Sequence, residues 1–560
     1  MPSKPSFRWH SGSNLLTAAA AVLALTVFCG SACAGSKPLT VQILAKNDFH
    51  GQISPGQIVS GHPAGSAPVL ASYLKNAMIG MKNRTVIVSA GDLVGASAVV
   101  SGLLQDEPSI MFFNMLGNAY CGAPHQPSDP RCNLLGIPGN HEFDEGLDEF
   151  YRLLRGGNHA KGPFLENPWK GAAFPVICAN IVNEGKQPIL PPFLIKKVGR
   201  VRIGFIGAVL KEAPSMVSPG GVRGLTFLDE AESINHYVKI LKAEGIRTII
   251  AVVHQGGTQT DKVISGDIVN IVNRLDDEVD VVISAHSHTY INGLLKSSGG
   301  RDVLVTQAWS KGIAYADIDL EIDRITSDVI GKTATIVTTR ADAGPGLTPD
   351  KKVRKLAAAA EKMVEPIVNR PVGTAAADIL KSHSEAGESA LGNLIADAQR
   401  AAMGTDFAFM NPGGIRADIS AGEVTWGELY TAQPFHNTLI KMSLTGRQVY
   451  DLLEQQWLDQ PYARILQVSG LKYAWDGNLP AGSRITAVFK SDNTPLHRDD
   501  TAYTVAVNSF LADGGDNFTV LENGAGRVAG PVDLDALVSY IKGLSQPFFS
   551  VIENRITRLH

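Results

Sequence analysis

Five apolar, β-branched runs between Val41 and Ala285 each stop in residue types that bind metal ions. Val41–Lys46 runs into Asn47-Asp48-Phe49-His50, Thr85–Ala90 into Gly91-Asp92, and Asn133–Pro138 into Gly139-Asn140-His141. Thr248–Val253 runs into His254, and Val279–Ala285 into His286-Ser287-His288. One histidine after a strand is ordinarily a loop residue, and one aspartate after a glycine ordinarily belongs to a turn. Five such ends in one chain ask for a common cause. In open α/β sheets, ligands gather outside the carboxyl ends of the strands. There Asp48, His50, Asp92, Asn140, His254, His286 and His288 would converge. Seven N and O donors exceed the needs of one tetrahedral ion and suit two divalent ions bridged by a carboxylate. Zn, Mn, Co and Fe all suit such donors, so the identity of the metals stays open.

His141 and Asp144 add a second kind of chemistry. If the segment after Asn140 turns helically, residues three apart share a face, and Asp144 can orient His141. Acidic residues opening a helix, with Asn140 as its cap, account for the same run without any chemistry.

The elements that must position these groups follow from periodicity. From Leu39 the chain alternates β-branched apolar runs with helical patterns, which implies a sheet covered by helices. The strand-rich pattern fades after Glu321, and Asp342–Leu347 holds Gly344, Pro345 and Gly346. Thr348-Pro349-Asp350 then caps a helical run, Lys351–Val368. It reads either as a connector between domains or as a helix of the second core. A first domain over 39–342, a connector and hinge over 343–369 and a second domain over 370–560 are expected. In the second domain helices are expected at Ala390–Met403 and Gly446–Trp457, and strands at Phe407–Met410, Thr438–Leu444, Gly470–Ala474 and Ala502–Asn508. Three of its loops combine polar groups with an aromatic ring or a guanidinium: Asn411-Pro412-Gly413-Gly414-Ile415-Arg416, Gln433-Pro434-Phe435-His436-Asn437, and Asn508 through Asp516. The first is a fair cradle for an anion. A phenylalanine beside a loop is ordinarily core.

In this order, Asp48-x-His50, Gly91-Asp92, Gly139-Asn140-His141-Glu142, His254 and His286-x-His288 resemble the calcineurin-like metallophosphoesterase superfamily. The opening Asn47-Asp48-Phe49-His50-Gly51 and the three second-half loops narrow the resemblance to the secreted bacterial 5'-nucleotidase family. The resemblance implies a four-layer α/β/β/α sandwich, a connector helix and a C-terminal α/β domain that rotates about it. It implies Asp48, His50, Asp92 and His288 as ligands of one divalent ion and Asp92, Asn140, His254 and His286 as ligands of the other. His141 and Asp144 would be the catalytic dyad; Glu142 and Phe143 need no catalytic part. Arg416 would contact the phosphate, Phe435 and Phe510 would sandwich the base, and Asn411 and Asp516 would bond the nucleoside. The implied activity is release of phosphate from nucleoside 5'-monophosphates. The family also includes UDP-sugar hydrolases and 2',3'-cyclic-nucleotide phosphodiesterases, and a catalytically idle nucleoside-binding protein is the rival from another class. One stretch departs from the pattern: Ser382-His383-Ser384-Glu385-Ala386-Gly387-Glu388-Ser389 stands where relatives often supply arginines, so a thinner, more acidic phosphate clamp is expected. His436 has no assigned role.

Composition bounds the partners and the compartment. At 560 residues, 44% hydrophobic and 19% charged, the chain is long enough for two large domains. A net charge of −4 leaves no broad basic surface for a nucleic-acid polymer, so phosphate binding is expected to be local. Lys4 and Arg8, the apolar Leu15–Phe28 and Ser31-Ala32-Cys33-Ala34 read as a secretory signal cleaved after Ala34, too short to span a membrane. The expected location is periplasmic or secreted, with no lipid anchor on Cys33 and no protein partner. Of the remaining cysteines, Cys121 and Cys132 are expected to form a disulfide and Cys178 a buried thiol.

Overall fold

The computed structural model describes residues 37–81, 83–117, 133–217 and 219–560. The signal segment and both Cys121 and Cys132 lie outside them. Cys178 is a fully buried free thiol, and burial pushes it up to about 12.

Two sheets face each other in the first half of the chain. One has the strand order Val329–Thr338, Ala314–Ile322, Leu39–Lys46, Thr85–Ser89, Leu134–Gly136; the other runs Tyr290–Lys296, Asp302–Ala308, Val279–Ser284, Thr248–His254, Val201–Val209, Phe193–Val198. The alternation of side chains along each strand builds the layers. Val41, Ile43 and Ala45 join Ile250, Val252, Val281 and Ile283 between the sheets. Leu44 and Ile87 turn the other way, onto Leu70, Leu74, Phe112 and Phe113 of the helices Ala67–Ala77 and Glu107–Leu116. Ile249, Ala251 and Val253 pack against Ile234, Val238 and Leu241 of the helix Glu230–Ala243. The result is the expected α/β/β/α sandwich.

Its register aligns the functional strand ends. Lys46 lies opposite Ser89 and Ser89 opposite Gly136 in parallel pairs, and Val253 lies opposite Ser284 in the other sheet. All five runs therefore finish at one level on one edge. One strand departs from expectation. Val329–Thr338 is ten residues long and pairs antiparallel with Ala314–Ile322, although the strand pattern fades there in sequence. It is a sheet edge with most positions partly exposed, so polar residues alternate with apolar ones and the apolar signal weakens.

The helix Lys351–Val368 is capped by Asp350, whose side chain accepts from Lys352 N and Val353 N and pairs with Lys75 at 2.6 Å. Its first half is core of the first domain, with Val353, Leu356 and Ala357 among Leu70, Tyr73 and Phe113. The second domain is built on a five-stranded sheet ordered Gln467–Ser469, Phe407–Met410, Ala502–Asn508, Thr438–Thr445, Ala525–Val532. The helices Ala390–Met403 and Asp533–Gly543 pack together in one of its cores and Gly446–Glu454 in another. No described helix is long and apolar enough to cross a membrane.

Candidate active site

The seven metal-type residues meet at the common edge. Asp48, His50, Asp92 and His288 offer ligand atoms within 4.8 Å of one another, and so do Asp92, His254 and His286. Asp92 belongs to both groups. His50 Nε2 lies 3.6 Å and His254 Nε2 3.2 Å from Asp92 Oδ2. Asn140 Oδ1 sits beside the second group, 3.2 Å from His254 Nε2 and 3.1 Å from His286 Nδ1. Backbone carbonyls set the rings: His50 Nδ1 donates to Gly95 O at 2.8 Å and His254 Nδ1 to Ala90 O at 2.7 Å, so each Nε2 faces the site.

The backbone bends hard to achieve this. Asp48, His50, Asp92, His286 and His288 all have positive φ, between 48° and 73°. Such positions cost on the order of 1–3 kcal/mol each and persist where the surroundings over-determine them. A fully buried Val or Ile contributes about as much, roughly 1.5–3 kcal/mol, so the apolar layers beneath can offset five of them. Glycine supplies the close approaches. A Cβ on Gly139 would lie 2.1 Å from Asp92 Oδ1, and one on Gly91, itself at φ +90°, would lie 2.6 Å from His254 Nδ1.

The donor set fits divalent cations. Asp48 and Asp92 are fully buried, and burial alone would push their carboxyls up. The charge of His288 instead holds Asp48 at about 2, and His254 and His141 hold Asp92 well below its ordinary value. The imidazoles respond in opposite directions. Burial works against the charge on His254, yet Asp92 lifts it to about 9, whereas burial and the charge of His254 push His286 down to about 3. A site that charges one imidazole and keeps its neighbour neutral and electron-donating is short of positive charge, which metal ions supply.

His141 and Asp144 lie beside the set. His141 Nδ1 is 2.8 Å from Asp144 Oδ2, which also accepts from Ala96 N, and the amide of His141 donates to Asp92 Oδ1 at 3.0 Å. Burial opposes protonation of His141, but Asp144 and then Asp92 raise it above its ordinary value. Glu142 has a part that its place at a helix start hides. Its carboxylate accepts from Asp92 N, Leu93 N and Gly139 N, tying together the two loops that carry Asp92 and Asn140. Burial and the charge of Asp92 push it up to about 7. Phe143 is core, against Phe150 and Phe227.

The second domain closes the site. Asn411, Arg416, Phe435, Phe510 and Asp516 line one cavity of about 170 Å³ together with Asn140, His141, Asp144 and His286. Phe435 stacks on His141 with ring centres 5.9 Å apart and planes at 18°, and the Arg416 guanidinium lies 5.8 Å from the Phe435 ring. Asn411 donates to Asp516 Oδ2 at 2.8 Å and accepts from Asn508 at 3.0 Å. Two cations were missed in sequence. Arg464 lines the same cavity, 3.4 Å from Asp516 Oδ1. Lys311, whose amide donates to Asp48 O, has its amine lowered by burial and by the charges of Arg416 and Lys381. Neither lies in a recognisable motif. In the Ser382–Ser389 stretch Glu388 is fully buried, bonded to Asn393 and to the amides of Glu553 and Ile556.

Comparison with known proteins agrees with this architecture. Residues 41–290 match the calcineurin-like phosphoesterase family, and residues 371–523 match the 5'-nucleotidase C-terminal domain family. Endonuclease YhcR of Bacillus subtilis is 35% identical over 92% of this chain, which spans only 41% of that relative's length. Cell wall protein Lmo0130 of Listeria monocytogenes is 32% identical over 95% of this chain and 70% of its own length. The crystal structure of a 5'-nucleotidase precursor from Thermus thermophilus superposes with a TM-score of 0.77 at 28% identity, covering 93% of this chain and 99% of that one. The chain belongs to the 5'-nucleotidase family of calcineurin-like phosphoesterases, whose members are metal-dependent phosphoester hydrolases.

Proposed function

We propose that the protein is a secreted, dinuclear metal-dependent nucleotide phosphohydrolase that releases phosphate from nucleoside 5'-monophosphates. One observation carries the reading: the His141–Asp144 pair, the edge of the metal set and the aromatic, amide and arginine groups of the second domain line a single cavity. Asp48, His50, Asp92 and His288 would hold one ion and Asp92, Asn140, His254 and His286 the other. Two divalent ions bound there would lower the pKa of a shared water and absorb charge on the phosphoryl oxygens. The chain's own groups do the rest. Arg416 binds the phosphate through charge, and Phe435 and Phe510 take the base between them. Asn411 keeps a free amide N–H, and Asp516 free lone pairs, for the nucleoside. His141, its Nδ1 engaged by Asp144, keeps Nε2 to stabilise the developing charge or to protonate the leaving oxygen. Export rests on the N-terminal segment through Ala34.

A diesterase reading of the same site is favoured by one observation: the relative at 35% identity is named an endonuclease. A panel of AMP, 2',3'-cyclic AMP, UDP-glucose, NAD and a short single-stranded oligonucleotide, assayed with defined metals, tests both. Phosphate release from AMP with the highest kcat/KM supports the monoesterase. Turnover of the diesters alone overturns it.

A further inference from the structure

A second cavity, of about 240 Å³, adjoins the first and shares His141, Asp144 and Phe435 with it. The first domain contributes Gln105, Asp106 and Glu145 to its walls, and the second contributes Tyr430 and His436. Nothing in the reaction proposed above uses these five residues.

The walls are rich in carboxylate and amide acceptors. Of the five carboxylates that line the cavity, Asp144 is bonded to His141 and Glu149 to Arg152, each at 2.8 Å, and Glu142 accepts from the amides of Asp92, Leu93 and Gly139. Among the described residues Asp106 and Glu145 have no ion pair of that kind, although the charge of Lys161 acts on Glu145. Asp106, 8% exposed, accepts from Ser101 Oγ and the amide of Gly95, with the Ser97 hydroxyl also beside it. Glu145 accepts at one oxygen from Gln105 Nε2 at 3.0 Å. Gln105 is 6% exposed, and its Oε1 has no hydrogen-bond partner among the described residues. Buried acceptors without donors are costly, and native structures rarely keep them without a reason. Lys161 stands exposed at the rim. Burial raises the carboxyls of both Asp106 and Glu145. Aromatic faces complete the cavity: Tyr430 and His436 meet edge to face with ring centres 5.2 Å apart.

These features select a ligand class. An ammonium group brings one positive charge and three N–H donors, and it is also held by aromatic faces. A directly chelated metal fits less well, because among the described residues the only acidic and histidine groups close enough to chelate are the two sets around Asp92. We propose that this cavity binds the primary ammonium group of a small amine, which donates to Gln105 Oε1, Glu145 and Asp106 against Tyr430 and His436. The amine is either free or an arm of a phosphoester whose phosphate lies at the metal set. Because both domains build the cavity, the amine also favours their present arrangement.

Calorimetric titration of the metal-loaded full chain with ethylammonium at constant ionic strength tests this without turnover, so its failure is distinct from failure of the nucleotidase reading. Saturable binding is expected, at least tenfold weaker for tetramethylammonium, which cannot donate hydrogen bonds. Glu145→Gln and Gln105→Leu should each weaken ethylammonium at least tenfold; Tyr430→Leu, which removes the aromatic face, serves if either fails to fold and should weaken it less. Two sources are then separated by kinetics. A kcat/KM at least tenfold higher for 2-aminoethyl phosphate than for ethyl phosphate identifies a substrate arm, and equal values identify a free amine. The proposal is overturned if ethylammonium binds no better than sodium, if tetramethylammonium binds equally well, or if the folded variants bind as the parent does.

Discussion

Asp92 of the first domain and Asp516 of the second are both buried carboxylates held at positive φ, 49° and 58°, and burial pushes both toward the neutral form. At Asp92 the charges of His254 and His141 overturn that push, and the group stays ionised well below its ordinary range. At Asp516 they do not: Arg464 and the bond from Asn411 leave the carboxyl raised. The first-domain wall therefore concentrates charge that asks for cations, while the second-domain wall sets the guanidiniums of Arg416 and Arg464 among hydrogen-bonding groups and rings. On the proposed function, reaction chemistry and substrate recognition are divided between these two walls, and substitutions on the two should fail differently.

The largest effect should come from emptying the charged wall. Chelation is expected to reduce phosphate release to background and a divalent transition metal to restore it; full turnover by a chelated, demetallated sample would end the dinuclear reading. Asp92→Ala should be the most damaging single ligand change, because both ions lose a bond, and elemental analysis should find its metal content reduced after dialysis.

Next comes the dyad, which sits on the charged wall without belonging to the ligand set. His141→Ala should lower kcat by about 10²–10⁴-fold while metal content holds. Asp144→Asn should follow in the same direction by less, and a normal kcat for His141→Ala would remove that residue from the chemistry.

The second-domain wall should respond in KM. Stacking a base contributes about 1–3 kcal/mol, so Phe510→Ala should raise KM for a nucleotide by roughly 5- to 150-fold and leave a small aryl phosphate as before. Phe435→Ala should do the same to the nucleotide but also lower kcat modestly on the aryl phosphate, because its ring supports His141. Equal losses on both substrates for Phe510→Ala would make that ring core rather than recognition.

The smallest expected effect extends the comparison to a buried carboxylate far from either wall. Asp280 is 1% exposed, accepts from Ile249 N at 3.1 Å, and has Arg301 no nearer than 4.0 Å; burial lifts it to about 7. Its folded state holds the proton more tightly than the unfolded chain does. Its contribution to stability is thus complete below the ordinary aspartate value of 3.8 and is lost as pH rises toward 7. Asp280→Asn should raise Tm at pH 8 and change it little at pH 4, and an equal shift at both would show that charge is not the cause.

How much of this was legible in sequence differs between the walls for a physical reason. Strands such as Thr248–His254, buried on both faces, are apolar throughout and end where the polar residues begin, so both the element and its functional tip can be read locally. Glu142 could not be read this way: its role is to accept from amides up to fifty residues away, and nothing in its neighbours encodes that. Arg464 and Lys311 reach the site from loops whose paths depend on the packing of both domains. The loops of Asn411, Phe435 and Phe510 stand out by composition, but their roles rest on the resemblance alone, since an aromatic ring next to a turn has the same local pattern in a core as in a pocket.

The stack of Phe435 on His141 makes the seam between the domains also the partition between two chambers. Parting the domains would draw one ring off the other and unroof both chambers in a single stroke. Departure of product and exposure of the imidazole to bulk water would then share one clock, and the slowest event of a turnover could belong to the seam rather than to the bond that breaks.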